Sequence, residues 1–422
     1  MKVLILGLNY APEPLGVGKY SGELSRWLVQ RGHEVTVVTG MPYYPAWRVA
    51  PGFRAWRYQW QRDGGVRVLR CPILVRPGEG AIGRILILVS FALSSLLPCL
   101  WLGLVRRPDL VIAVEPTVAG APNALLAARL VGARACLHVQ DLEIEAAFQL
   151  GLLGHRGLAR WLRGGYRWLL RRFDLVSTVS RRMYAHLNDC GIPRSRLCLC
   201  PNGVDTARIR PLAAASGLRG AFGLAPDDVV VLYAGNIGAK QGVEMLAEVA
   251  ERLAAVPRIR VVICGDGVAR ARVERATAHL ANVLLLPVQP AERLNELLNL
   301  ADIHVLPQRR EVASFAFPSK LGGMLASGRP VVVQARRGEL ARTVHGCGVV
   351  VRPGDARAMA AEIMSLARDP ARRARLGEAG RAFALAHLDR DQVAAAYEQR
   401  LLAMVERRPH RVPAAPSVSR AG

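Results

Sequence analysis

Residues 229–244, "VVVLYAGNIGAKQGVE", run from apolar β-formers into glycines at 235 and 238 and then into a helical pattern. Strand, glycine loop and helix in that order open a parallel α/β sheet. The position of this unit decides the fold, because the chain has already opened one such sheet near its start. There KVLILGL (2–8) leads into a loop with Gly16, Gly18 and Gly22, a helical pattern to about residue 31, and EVTVVT (34–39). Further apolar runs follow as DLVIAVEP (109–116), ARACLHVQD (133–141), DLVSTVS (174–180) and RLCLCPNG (196–203).

After residue 229 the alternation restarts, through RIRVVICGDG (258–267), NVLLLP (282–287), ADIHVLP (301–307) and RPVVVQA (329–335), with helical patterns at 241–255, 268–280 and 291–300. Continuous apolar strands separated by helices indicate parallel sheets covered on both faces. At 422 residues the chain exceeds one typical core. The reading is α/β with two doubly wound domains facing a cleft: 1–205 and 206–388, joined by a polar stretch at 206–226. A helix at 389–407 returns to the first domain and 408–422 form a tail.

Hydrophobic residues make up 51% of the chain, which excludes disorder, and Lys+Arg 57 against Asp+Glu 33 gives +24. That field favours anionic partners. No nucleic-acid module accompanies it, and aromatic residues are not interleaved in a basic groove, so nucleic acid is not the expected partner. The cysteines at 71, 99, 136, 190, 198, 200, 264 and 347 form no CxxC pair and sit mostly in apolar runs. They read as buried reduced thiols in a cytoplasmic protein, without a metal site. The opening MKVLILGLNYAPEP turns to loop too soon for a secretory leader.

The first glycine loop is not a dinucleotide fingerprint. Gly16-Val17-Gly18 supplies half of G-x-G-x-x-G, but residue 21 is Ser and the third glycine falls at 22. The loop stands far behind Leu8, and the second strand ends "VVTGMPYYP" without an acid for a ribose. What remains is a loop whose backbone N–H groups can meet a phosphate at a helix start. In the second loop Gly235, Asn236 and Gly238 are followed by Lys240, a cation able to neutralise a diphosphate leaving group.

The first loop, "PNGVD" (201–205), "YAGNIGAKQG" (233–242), "ICGDG" (263–267) and "FPSKLGGMLASGRPVV" (317–332) stand in the order found in glycosyltransferase family 4. Over about residues 1–400 the chain resembles that family. "NYAPEP", "MPYYPAWRV" and "PSKL" look most like its exopolysaccharide branch, typified by the colanic acid fucosyltransferase. The resemblance implies the GT-B fold, two Rossmann-like domains, and retaining transfer from a nucleoside-diphosphate sugar without a required metal or other cofactor. It implies an acceptor-binding first domain and a donor-binding second one.

Carried over by position, the resemblance puts Gly16, Val17 and Gly18 against the donor diphosphate with Lys240. Gly235 and Asn236 belong to the same loop; the family's arginine position falls on Asn236, so one cation is expected there. Gly265 and Gly267 would admit the nucleotide, and 285–292, with Val288, would line its base. The family's E-x7-E pair falls on Phe315 and Gly323, so neither glutamate is present. Ser319 and Lys320 would contact phosphate or sugar instead. The family's sugar-contacting His has two candidates, His138 and Asp141. Asp141 is favoured because it begins the loop after the strand, although an N-cap would also suit it. His138 also reads as a core histidine, and Glu115 is a further cleft candidate.

Two segments bear on the acceptor. Residues 85–105 carry no charge over a span long enough for a bilayer, yet Pro98 interrupts them and the following strand belongs to the same sheet. A helix that is part core and part membrane-dipping is expected rather than a span. In 155–173, Arg156, Arg160, Arg163, Arg167 and Arg171 share a helical face, with Trp161, Leu162, Trp168, Leu169 and Phe173 mainly opposite. It reads either as a solvated face or as an interfacial helix drawn to acidic lipids.

The function expected is transfer of a sugar, best matched by L-fucose from GDP-fucose, to a polyprenyl-diphosphate-linked glycan. The enzyme would sit peripherally at the anionic inner face of the cell membrane. A nucleotide-sugar epimerase of the same fold and a basic nucleic-acid-binding protein are the alternatives.

Overall fold

The computed structural model describes residues 1–76, 81–116, 118–141, 156–213, 216–238, 241–309 and 317–406. The first sheet contains β1 (Lys2–Gly7), β2 (Glu34–Gly40), β3 (Gln59–Asp63), β4 (Val66–Cys71), β5 (Leu110–Glu115), β6 (Arg134–Val139), β7 (Leu175–Thr178) and β8 (Leu197–Leu199). Their spatial order is β3-β4-β2-β1-β5-β6-β7-β8, parallel except for the β3–β4 pair. The central strands are apolar throughout because both faces are covered. One face carries α2 (Ala81–Arg106), α3 (Ala121–Val131), α4 (Arg156–Leu170) and α5 (Arg181–Asp189). The other carries α1 (Gly16–Gln30).

The β3–β4 hairpin is an element the sequence reading passed over. Gly64 and Gly65 take φ 55° and 89°, the left-handed pair that a two-residue hairpin turn requires.

The second sheet contains β9 (Val229–Ala234), β10 (Ile259–Cys264), β11 (Val283–Leu286), β12 (Ile303–Leu306), β13 (Val331–Gln334) and β14 (Gly348–Val351) in the order β11-β10-β9-β12-β13-β14, all parallel. Its longer helices are α6 (Met245–Leu253), α7 (Arg270–Thr277), α8 (Lys320–Ala326), α9 (Glu339–Val344), α10 (Ala356–Arg368) and α11 (Pro370–His387).

A last helix, α12 (Arg390–Glu406), leaves this domain and buries Ala394, Tyr397 and Leu401 in the core of the first one. Its buried Glu398 accepts from His33 Nε2 at 2.6 Å. The outgoing and returning chains are tied together where they cross. Val204 N donates to Leu388 O at 2.8 Å, Arg390 N donates to Val204 O at 2.9 Å, and Arg390 pairs with Asp205 at 3.0 Å.

In α2 the inner positions Ile87, Phe91, Cys99 and Leu102 are core, while Leu93 and Leu97 are 71% and 74% exposed. Both flanking strands, β4 and β5, belong to one sheet, so the helix lies along that sheet. Pro98 cannot donate to the carbonyl four residues back, and the Tyr58 hydroxyl takes that place, donating to Ser94 O at 2.8 Å.

The helix wheel of α4 needs one correction. Trp161 and Trp168 are exposed among the arginines, with Arg172 4.6 Å over the Trp168 ring, while Tyr166, Leu169, Leu170 and Phe173 carry the buried side. All eight cysteines are buried free thiols.

Candidate functional site

In the first glycine loop the three residues of Gly16-Val17-Gly18 do different things. Gly16 is exposed at the start of α1 with φ 62°, a conformation that favours glycine. Gly18 is buried, and a Cβ there would stand 2.5 Å from Glu13 Oε2. Glu13 organises the loop from beneath: its carboxylate accepts from Asn9 Nδ2 at 2.9 Å and from the backbone N–H groups of Tyr43 and Tyr44 at 3.1 Å each. Burial raises its pKa above the usual carboxylate range. Arg70, fully buried, donates to the carbonyls of Ala11 and Gly40 and lies over the Tyr10 and Phe53 rings. The helix start is thus held rigidly with Gly16 outward.

In the second domain the loops after β9 and β10 cross. Gly235 N donates to Cys264 O at 2.9 Å and Ile237 N donates to Asp266 O at 2.8 Å. A Cβ on Gly265 would run into the Gly235 carbonyl, and one on Gly267 would lie 2.5 Å from Asn236 Oδ1. The space left by these glycines is therefore filled by the 235–237 chain. Arg270 braces the crossing through the carbonyls of Gly265 and Leu286. Val288, beyond β11, is exposed.

Lys320, at the start of α8, reaches back over the same loop, and its Nζ donates to the Tyr233 hydroxyl at 2.7 Å. Burial lowers the Lys320 pKa to about 8. Lys240, residue 310 and residues 311–316, including position 315, lie outside the described residues, as does Glu145.

The domains meet at this point. Tyr20, one turn into α1, has its hydroxyl near Ser319, whose side chain partly offsets the upward pKa shift that burial imposes on it. On the other flank Glu339 of α9 accepts from the backbone N–H groups of Arg181 and Arg182 at 2.8 and 3.1 Å, capping α5 across the domain boundary. The structure therefore brings together Ser319, Lys320, Gly235 and Asn236 from the second domain and the start of α1 from the first.

His138 is placed differently. Its Nδ1 bonds Ser177 Oγ at 2.8 Å, its ring lies 5.7 Å from that of Tyr397, and burial lowers its pKa to about 4. It lines a small cavity of about 50 Å³ with Tyr20, Gln140, Asn202 and Arg390. Asp141 follows β6 at the surface, and Glu115 is buried, accepting from the Tyr166 hydroxyl at 2.9 Å. Among the described residues no group of three His, Cys, Asp or Glu side chains is placed to hold a metal ion.

Sequence reasoning missed Glu13, Tyr20 and Tyr233. Glu13 was readable only as an acid between two prolines, and Tyr20 and Tyr233 only as ordinary helix and strand aromatics.

Residues 16–203 match the family model described as "Glycosyl transferase 4-like domain", and residues 218–383 match "Glycosyl transferases group 1". The chain is 38% identical over 378 residues to the "Putative colanic acid biosynthesis glycosyl transferase WcaI" of Escherichia coli (strain K12), covering 86% of this chain and 91% of that protein. It is 27% identical over 434 residues to a glycogen synthase of Mycobacterium tuberculosis, covering 96% and 95%. In fold it is similar to the sucrose-phosphate synthase of Thermosynechococcus elongatus, with TM-score 0.74 at 18% identity over 96% of this chain and 99% of that one. It is also similar to Anabaena Alr3699/HepE in complex with UDP and glucose, with TM-score 0.68 at 16% identity over 96% and 100%.

Proposed function

Since the chain belongs to the family 4 glycosyltransferases of GT-B fold, we propose that it builds a colanic acid-like exopolysaccharide on a lipid carrier. The donor is a nucleoside-diphosphate sugar, with GDP-fucose the first candidate, and transfer retains the anomeric configuration without a metal. The acceptor is a polyprenyl-diphosphate-linked glycan at the anionic inner face of the membrane, where the enzyme sits peripherally. Gly16, Val17, Gly18, Gly235, Asn236, Gly265, Gly267, Val288, Ser319 and Lys320 form the donor side with Lys240, and Asp141, ahead of His138, is the candidate for the sugar-contacting catalytic position.

The observation that carries the lipid-linked acceptor is the outer surface of the first domain. There α2 exposes Ile82, Ile85, Val89, Leu93, Leu97 and Trp101 in one continuous stripe. On the same face of the sheet α3 exposes Leu126 and Leu130, and α4 exposes Trp161 and Trp168 among arginines. Apolar residues flanked by tryptophan and arginine suit an interfacial position on acidic lipid.

The test is a thermal-shift panel of GDP-, UDP- and dTDP-sugars, followed by transfer assays on polyprenyl-linked acceptors. One donor class raises the melting temperature and supports transfer to the lipid-linked glycan. Lys240→Ala cuts that turnover strongly with the fold intact. Transfer only to soluble acceptors would remove the lipid from the reading.

A further inference from the structure

When a sugar leaves a nucleoside diphosphate, the anomeric C–O bond breaks and its electron pair stays on the diphosphate. The acceptor hydroxyl oxygen forms the new bond, and its proton passes to the departing diphosphate. The protein must therefore hold growing negative charge beside the 235–238 loop. Within the described part of that loop there is no cation.

The structure brings one there from another element. Lys320 comes from the start of α8, and its Nζ stands 2.7 Å from the Tyr233 hydroxyl and 4.2 Å from the ring centroid. A Cβ on Gly235 would lie 2.8 Å from Nζ, so the ammonium packs directly on the loop backbone. Tyr233 is buried and donates to Asn236 O at 2.6 Å, leaving an oxygen lone pair to hold Lys320. Among the described residues no carboxylate contributes to the Lys320 pKa, which burial by itself lowers to about 8. An ammonium drawn partly out of water loses hydration, and an arriving anion offsets that cost.

We propose that Lys320 is a diphosphate-binding cation delivered to the 235–238 loop from α8, with Tyr233 as the residue that positions it. This rests on the reading of the chain as a nucleotide-sugar transferase and adds to Lys240 a second leaving-group cation from outside the glycine loop. Among the described residues the titratable groups near Lys320 are Tyr233 and, beyond Ser319, Tyr20, both pushed up by burial, so the lysine is the group among them that changes charge between pH 7 and 9.5.

Calorimetric titration with GDP, UDP and dTDP, each beside its monophosphate, tests the assignment. The wild-type protein binds one diphosphate more tightly than its monophosphate, and that preference declines as pH rises from 7 to 9.5. Lys320→Met weakens diphosphate binding about tenfold or more and monophosphate binding by a smaller factor, and Lys320→Arg restores part of the loss. Tyr233→Phe gives a smaller loss and moves the pH at which the preference declines. The wild-type pH profile needs no variant, so it stands even if a substitution fails to fold.

Equal diphosphate affinity in wild type and Lys320→Met, with a flat pH profile, would overturn the role of Lys320 and leave the enzyme a transferase. Failure of the wild-type protein to bind any of the three diphosphates would instead overturn the donor class.

Discussion

His138 and Gly18 show how a residue's meaning depends on what surrounds it. His138 is 4% exposed, and its pKa falls from 6.5 to about 4 because burial disfavours the imidazolium. A depressed folded value means the neutral form is the one the fold accommodates. The stability is fully present above 6.5 and is lost as pH falls through 4, and for His138 it is on the order of 3 kcal/mol. Thermal melts should therefore drop between pH 6.5 and 4, and His138→Gln should flatten that slope. His304, lowered to about 3 and bonded to Ser327 Oγ at 3.1 Å, keeps its own share of the slope. Gly18→Ala should cost about 1–3 kcal/mol, read by denaturant unfolding, because the added methyl overlaps Glu13. The sequence offered both residues as site candidates. Neither the burial of one nor the acid beneath the other is visible in local pattern, because both depend on residues from other strands and loops.

Among the elements, α2 was legible as a long apolar helix, but its two sides were not distinguishable. A helix that is apolar all round gives no periodic signal to separate core from surface. Packing makes the separation: Phe91 and Leu102 face the sheet, while Leu93 and Leu97 do not. Leu93→Glu with Leu97→Glu should leave unfolding free energy within about 0.5 kcal/mol, since both side chains are exposed. The same pair should sharply reduce co-sedimentation with anionic vesicles. Unchanged sedimentation would exclude this stripe as the docking surface. The β3–β4 hairpin was legible in principle, since Gly64-Gly65 stands between alternating runs, and it became clear only once β4 paired with β2.

At the scale of the molecule, α12 ties the end of the chain to its beginning. Glu398 is buried and accepts from both His33 Nε2 and Arg31 Nε, at 2.6 and 3.4 Å. Glu398→Ala should cost about 1–3 kcal/mol by leaving a buried partner without its acceptor. Limited proteolysis should then cut within 390–406 faster than in the wild-type protein. The sequence by itself determined two parallel α/β units, their central strands and the glycine loops that open them, because strand and helix periodicity and glycine placement are local properties. Only the tertiary structure decided that Gly265 and Gly267 accommodate a crossing loop, that Trp161 and Trp168 face outward, and that Lys320 lies against Gly235. Residues 320 and 235 belong to different elements, and their meeting depends on how α8 is set against β9, a placement that side-chain packing fixes and sequence spacing does not encode.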